Sequence, residues 1–573
     1  MKELLLGNAA VARGLYEAGC RFASSYPGTP STEITEELSR YGEVFCEWAP
    51  NEKVALEAAC GASIAGARSF CGMKHVGLNV AADPLFTASY VGVGGGLVIA
   101  VADDPGMHSS QNEQDSRHYA LASKTMMLEP ADSQECLSFT KLAFELSERF
   151  DAPVIVRLTT RISHSSGTAE TGERVSRELA AYEKNPGKYV MMPAMARARH
   201  SIVEKRLAEQ ALWAETAELN NVEYFDKKIG VIAAGICYQY AREALGENAS
   251  YLKLGCVWPL PVEKIRAFAA QCETVYVVEE LDDFIETQCL KHGVKVTGKA
   301  LFSFEGELSQ KIVAEKILGR TPPFLQTDIT VPGRPPVLCA GCPHRGLFYV
   351  LKKLKVYVSG DIGCYTLGAL APLTAMDSCI CMGASVSALH GRNKADPANA
   401  GNSVAVIGDS TFVHSGITGL VDIAYNNSDS VVIILDNSIT GMTGHQNNPA
   451  NGLNINGEPA AAVNLEKLAE AVGIRRVAVV DPFDLAETER VLREELAAEG
   501  PSVVIARRPC ALLKSVRHLP PLKVDRDKCT ACRMCMRVGC PAISFVDGKS
   551  SIDAVQCVGC GVCTQMCKFG AIG

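Results

Sequence analysis

The sequence predicts an α/β protein of three doubly wound modules in series, closed by a small cysteine-rich module. Short apolar runs of strand length alternate with helical stretches over most of the chain. Proline-rich stretches at 321–336 and 518–523 interrupt that alternation and mark boundaries. Eight of the 23 cysteines fall within the last 50 residues.

The elements follow in order. Residues 1–185 form the first module, in which 98–102 and 154–158 read as buried parallel strands and 52–68 as an alanine-rich helix. A polar, methionine-containing helical connector spans 186–225. The second module, 226–330, opens on a strand at 228–234 and carries another at 275–279. The third, 331–517, has its clearest strands at 404–407 and 431–435, and a Pro-Pro pair leads into the tail, 518–573. The glycine run Gly92–Gly96 precedes a strand without a dinucleotide fingerprint, so it is expected to serve close packing. Cys60 and Cys71, set among alanines and glycines, are expected to be small buried hydrophobes.

Bulk properties narrow the function classes. A hydrophobic content of 47% with 21% charged residues is ordinary for a soluble globular chain. A net charge of −8 without a basic block argues against a nucleic-acid surface. No uninterrupted apolar stretch is long enough for a membrane span, and no secretory leader opens the chain. The cytoplasm is the expected location.

The tail holds Cys529-x2-Cys532-x2-Cys535-x4-Cys540-Pro541 and Cys557-x2-Cys560-x2-Cys563-x3-Cys567. Each run supplies three thiolates at helical-turn spacing and a fourth one short loop later. Two [4Fe–4S] clusters need that set, the fourth cysteine of each run reaching across to the other cluster. One cluster would take Cys529, Cys532, Cys535 and Cys567, the other Cys557, Cys560, Cys563 and Cys540. Zinc sites use paired CxxC units instead, and disulfides need an oxidising compartment. Four residues rather than three before Cys540, and Lys568 in place of a proline, alter turns and not the ligand count.

In the third module, an apolar strand ends at Gly408-Asp409-Ser410, and 28 residues after Asp409 a second ends at Asp436-Asn437-Ser438-Ile439. Neighbouring parallel strands of a doubly wound sheet bring such ends together at the ligand crevice. Asp409, Asn437 and the Ile439 carbonyl would offer hard oxygens to Mg²⁺, with diphosphate completing the shell. The helix following Gly408 would direct backbone N–H groups at the same phosphates. The pattern resembles the thiamine diphosphate signature, with Gly-Asp-Ser for Gly-Asp-Gly and Asp-Asn for Asn-Asn. That cofactor needs a carboxylic acid in an apolar setting against its aminopyrimidine. Glu52 stands at the start of the small-residue helix, with Glu57 as a second candidate.

Tyr26-Pro-Gly-Thr29-Pro-Ser31 and Asn51-Glu52-x-x-Ala55 resemble the pyrimidine domain of the 2-oxoacid:ferredoxin oxidoreductases. Lys74-His75-Val-Gly77-Leu-Asn79, Asp103-Asp104-Pro-Gly106, Ser109-Ser-Gln-Asn-Glu-Gln-Asp115 and Cys339-Ala-Gly-Cys342-Pro-His344 extend the resemblance along the chain. The likeness runs end to end with the large (alpha) subunits of the indolepyruvate branch. It implies that the modules are thiamine pyrimidine-binding, transketolase C-terminal-like and diphosphate-binding, with a 2×[4Fe–4S] ferredoxin-like tail. It makes Glu52 the activating acid and Thr29, Gly408, Asp409, Ser410, Asn437 and Ile439 cofactor contacts. It also implies a third [4Fe–4S] cluster on Cys339, Cys342, Cys364 and Cys510.

The activity implied is oxidative decarboxylation of an arylpyruvate to an arylacetyl-CoA, with ferredoxin reduced. The partners implied are coenzyme A, ferredoxin and a smaller beta subunit in a heterodimer or α2β2 assembly. Another 2-oxoacid substrate, or a non-redox thiamine-dependent decarboxylase, are the open alternatives. His75, His344, His414 and His445 lie near strand ends or turns but carry no assigned role, since most histidines are structural. Ser109–Gln114 reads equally as a substrate-facing or a solvated loop.

Overall fold

In the computed structural model the described residues are 1–179, 182–321, 323, 328–333 and 335–573. Parts of the proline-rich boundary expected at 321–336 (322, 324–327 and 334) lie outside them. The chain divides into two compact units, Met1–Asp328 and Ile329–Gly573.

The first unit is built on a seven-stranded sheet in the order Cys256–Trp258, Met126–Leu128, Val154–Thr159, Leu97–Asp103, Ser69–Lys74, Phe22–Ser25, Phe45–Trp48. All its ladders are parallel except that of Cys256–Trp258 with Met126–Leu128. Leu97–Asp103 is buried at every position, as a strand covered by helices on both faces must be. The chain winds outward both ways from Phe22–Ser25 and Ser69–Lys74, so the crevice beyond their C-terminal ends is a topological switch point. A second sheet, Thr274–Val278, Ile229–Ala234, Ser250–Leu254 and Asn221–Glu223, shares an apolar core with the first. Strand Cys256–Trp258 thus carries the sheet beyond residues 1–185.

Several expectations are refined. The alanine-rich helix runs Glu52–Ile64, not to 68, because Gly66 takes a φ of 89° and Ser69 begins a strand. The connector helix, Pro193–Thr216, is docked: Arg199 and Arg206 donate to the Tyr90 and Ser89 carbonyls at 2.6 and 2.7 Å. The glycine run does serve close packing, since a Cβ on Gly94 would stand 2.5 Å from the Ser63 carbonyl oxygen. Cys71 is buried, whereas Cys60 is half-buried, packed against the edge of the same core.

The second unit carries a parallel sheet in the order Ser378–Cys379, Tyr357–Gly360, Ser403–Gly408, Val431–Asp436, Ser502–Arg507, Arg476–Val480. Its direction of winding reverses between Tyr357–Gly360 and Ser403–Gly408, and Asp361 and Asp409 follow those two strands directly. The tail adds a hairpin, Ile543–Val546 with Lys549–Ile552, and shares one core with the sheet module: Val538, Ile543, Val562 and Met566 join Phe348, Leu351 and Val406. The cysteine runs are not helical. Their one regular segment is the 3-10 turn Met534–Val538, because Ala531, Arg533, Gly559 and Gly561 all take positive φ and curl the loops inward.

Candidate active site and cysteine centres

In the first unit, the strand ends at the switch point bring together the turn after Phe22–Ser25, Glu52 and the Lys74–Gly77 segment. Thr29 is half-buried beyond that turn, and Ser31 donates back to the Gly28 carbonyl at 2.8 Å. Glu52 is buried at 4% exposure in the first turn of its helix, which Asn51 caps by accepting the Val54 N–H at 2.9 Å. A Cβ on Gly77 would stand 2.6 Å from Glu52 Oε1 and 2.7 Å from its Cγ, so the glycine is what leaves room for this carboxyl. Glu57 is exposed beside Lys53, in solvent and away from the crevice.

Lys74 runs past Gly28, and its Nζ donates to the Ser109 carbonyl at 2.9 Å. Burial pulls its pKa down to about 8, against the upward pull of Asp104 and Glu52. Asp104 in turn accepts from Thr160 Oγ1 and Ser110 Oγ at 2.7 Å and from the Ser109 N–H at 2.8 Å, anchoring the 109–114 loop, which is otherwise largely exposed. His75 is buried beside this cluster, and burial pushes its pKa down.

In the second unit, Asp409 follows Gly408 at the end of its strand, 2% exposed. Its two carboxylate oxygens accept the Ser410 N–H at 2.7 Å and the Ser438 N–H at 3.0 Å, and among the described residues no cation pairs with it. Burial first, then the Asp436 charge, push its pKa up to about 7. Asn437 Oδ1 accepts the Ile439 N–H at 3.2 Å, and Thr440 donates to Ser410 at 2.9 Å. A buried carboxylate strained toward protonation, beside an amide oxygen on the next strand, fits a hard divalent cation. The helix expected after Gly408 starts at Asp409 but widens into a π-turn at Phe412–Gly416, which holds the buried His414.

The tail's eight cysteines separate into two cavities. Cys529, Cys532, Cys535 and Cys567 line one; Cys540, Cys557, Cys560 and Cys563 line the other. Each cavity thus takes three cysteines of one run and the last cysteine of the other. Backbone N–H groups point at the sulfurs: Ala571 at Cys567 (3.3 Å) and Leu522 at Cys557 (3.4 Å). The Ser550 and Ala531 N–H groups hold the Cys529 thiol below its ordinary range. Such donors favour thiolates, so both cavities fit an iron–sulfur group.

Cys339, Cys342, Cys364 and Cys510 also converge, although 171 positions separate first from last. Cys342 is influenced by the charges of Cys339 and Cys364, and Cys364 by those of Cys510 and Cys339. The set adjoins the Asp409 strand ends: the Cys510 N–H donates to the Asn437 carbonyl at 3.0 Å, and Gly441 lies against Cys364. His445 Nε2 lies 3.9 Å from Cys510 Sγ, and His344, buried, meets the Tyr365 ring edge-on at 5.9 Å. Sequence reasoning gave no role to Lys74, Gly77, Asp104 or Arg345. Lys74, Gly77 and Asp104 sit in segments that carry the family likeness and Arg345 directly follows one, but only the fold shows what they touch.

Each of the two units contains a match to a model of a known family. The family model “Pyruvate flavodoxin/ferredoxin oxidoreductase, thiamine diP-bdg” matches residues 13–229, and “Thiamine pyrophosphate enzyme, C-terminal TPP binding domain” matches 361–506. Indolepyruvate oxidoreductase subunit IorA of Archaeoglobus fulgidus is 42% identical, covering 100% of this chain and 97% of the relative. The IorA subunit of Pyrococcus horikoshii is 39% identical over 100% of this chain and 96% of its own. Among solved structures, a 2-oxoglutarate:ferredoxin oxidoreductase from Magnetococcus marinus aligns with a TM-score of 0.48 at 19% identity, over 56% of this chain and 65% of that one.

Proposed function

We propose, for a chain that belongs to the family of indolepyruvate oxidoreductase IorA subunits, the thiamine diphosphate-dependent oxidation of a 2-oxoacid with an iron–sulfur protein as electron acceptor. The substrate is an arylpyruvate. With coenzyme A and two oxidised ferredoxins it yields the arylacetyl-CoA, CO₂, a proton and two reduced ferredoxins. The observation that carries this reading is that one unit holds the Asp409/Asn437 strand ends, a four-cysteine set adjoining them and two further sets in the tail. A decarboxylase that simply protonates its product has no use for such sets.

Bound thiamine diphosphate would supply the electron sink that lets a 2-oxoacid lose CO₂. Residues 1–185 would be the pyrimidine-binding module, 226–330 the transketolase C-terminal-like module, 331–517 the diphosphate module and 518–573 the ferredoxin-like domain. Glu52, placed by its helix and given room by Gly77, holds a proton at the pyrimidine N1′. Thr29 contacts the same ring system. Asp409, Asn437 and the Ile439 carbonyl hold Mg²⁺, while Gly408 and Ser410 present backbone to the diphosphate. The cysteine sets hold three [4Fe–4S] clusters. A smaller beta subunit completes the enzyme, and ferredoxin docks to take the electrons. Among the described residues, no helix is long and apolar enough to cross a membrane.

The test is an anaerobic assay of dye reduction with coenzyme A, the chain being co-expressed with its beta subunit. Arylpyruvates are expected to reduce the dye at least tenfold faster than pyruvate or 2-oxoglutarate. Equal rates would refute the aryl preference, and aldehyde formation without dye reduction would refute the redox reading.

A further inference from the structure

Arg345 is a buried cation with an unusual set of partners. It is 4% exposed, in the first turn of the helix His344–Leu354. Of the other buried arginines, Arg117, Arg157 and Arg199 pair with carboxylates (Asp115 and Glu279, Asp103 and Glu129, and Asp151), whereas Arg206 donates to the Asp151 and Ser89 carbonyls, neither of them near a cysteine set. Among the described residues Arg345 pairs with no carboxylate. Its fork is spent on four backbone carbonyls, Nε on Cys339 (3.0 Å), Nη1 on Val538 (3.1 Å) and Gly539, and Nη2 on Leu338. Those carbonyls come from two loops. Leu338 and Cys339 open the inner cysteine set, and Val538 and Gly539 run directly into Cys540.

The carbonyls that hold this guanidinium belong to the loops that carry Cys339 and Cys540, one loop from each set. Carbonyl dipoles satisfy its hydrogen bonds but do not neutralise a buried charge, which is stable only near an opposite one. The same contacts order the path. Ala340 and Gly341, between Cys339 and Cys342, line the Cys540 cavity together with Val558, whereas the Cys529 cavity is lined only by residues 524–572.

We infer that Arg345 is a fixed counter-charge between the Cys339/Cys342/Cys364/Cys510 set and the Cys540/Cys557/Cys560/Cys563 set. There it stabilises the negative charge added when either is reduced, so that electrons pass from the first set to the second and reach the Cys529 set last. This rests on the reading that the sets hold iron–sulfur clusters. Net charge and nearby hydrogen bonds set the potential of such clusters. A cation between two of them favours the reduced state of both and eases transfer across the gap. Arg345 is a positioning residue in this scheme, since it acts through the clusters and touches no substrate.

The experiment uses the full chain with its beta subunit, reconstituted with iron and sulfide, as wild type and as Arg345→Lys, Arg345→Gln and Arg345→Met. Iron per chain is measured first, and then midpoint potentials by redox titration followed by electron paramagnetic resonance. In the two neutral variants, loaded as fully as wild type, one or two signals are expected to shift about tenfold toward the oxidised form at a fixed poise. That is about 59 mV per tenfold for one electron. The lysine variant is expected to stay within threefold of wild type, and the remaining signal is expected not to move in any variant. Unmoved midpoints in the neutral variants, or an equal shift in all three, would overturn the inference. Should the neutral variants fail to load while the lysine variant loads, the cation is needed for assembly and the inference stands. Failure of all three alike would overturn it, and a wild type without iron would refute the cluster reading itself.

Discussion

Gly77→Ala tests the placement of Glu52 with one methyl group. Gly77 lies inside a short helix, His75–Val80, and it is absent from the positive-φ glycines, so alanine suits its backbone. The new Cβ would stand 2.6 Å from Glu52 Oε1, where ordinary contact begins at 3.4 Å. The carboxyl must therefore retreat by about 0.8 Å. The clash also reaches Glu52 Cγ, 2.7 Å from the new Cβ, so the buried side chain must leave its rotamer at a cost of about 1 kcal/mol, which the ~1 kcal/mol that alanine gains over glycine in a helix offsets. Catalysis is less forgiving, because misplacing a reacting group by about 1 Å costs on the order of 10²-fold, or about 2.7 kcal/mol of transition-state stabilisation. The expected result is a kcat about a hundredfold down, an unchanged melting temperature and retained diphosphate binding. Gly61→Ala, with no atom within 4 Å of the new Cβ, is the matched control and should keep full activity. A Gly77→Ala enzyme within threefold of wild type would show that the position of Glu52 is not critical.

Asp409→Ala should weaken thiamine diphosphate binding in the presence of Mg²⁺ by at least a hundredfold by calorimetry, with the iron content unchanged; wild-type affinity would remove Asp409 from the cofactor site. Cys510→Ser should lower iron from about twelve to about eight atoms per chain, as one [4Fe–4S] cluster of three is lost; an unchanged count would mean that Cys510 is not a ligand. Lys74 makes a pH prediction. Its folded pKa of about 8 lies below the ordinary 10.5, so between those values the unfolded chain holds the proton and the folded chain does not. Its contribution therefore rises with pH across that window, by up to about 3 kcal/mol, and is lost as pH falls through 8. Lys74→Met should accordingly be more stable than wild type at pH 7, with the difference in melting temperature closing toward pH 10. A gap that widens with pH would contradict the sign.

Much of the candidate site was legible because its signals are local. The crosswise grouping of Cys540 and Cys567 follows from spacing alone, since each run has room for three ligands on one side of its loop and throws its fourth across. Asp409 and Asn437 could be paired because two buried valine- and isoleucine-rich strands read plainly, and parallel neighbours align their ends. What stayed hidden depends on contacts between distant segments. Nothing near Gly77 in sequence says that its missing Cβ houses Glu52, 25 positions earlier. Arg345 carries no local signal, and only the return of the tail onto the sheet module sets it among the carbonyls of two cysteine loops. The tail loops were expected at helical spacing, but positive-φ residues between the cysteines turn the backbone inward instead. Cys256–Trp258 crossed an expected module boundary because a three-residue edge strand leaves no periodicity to read.

The most direct measurement is to mix the oxidised, cofactor-loaded holoenzyme with an arylpyruvate under anaerobic conditions, without ferredoxin or dye, and to freeze it for electron paramagnetic resonance. Reduced-cluster signals should appear in wild type, and Asp409→Ala with its full iron content should give none. Release of CO₂ with thiamine diphosphate and iron both bound, but with every cluster still oxidised, would mean that electrons do not leave the substrate through these cysteines.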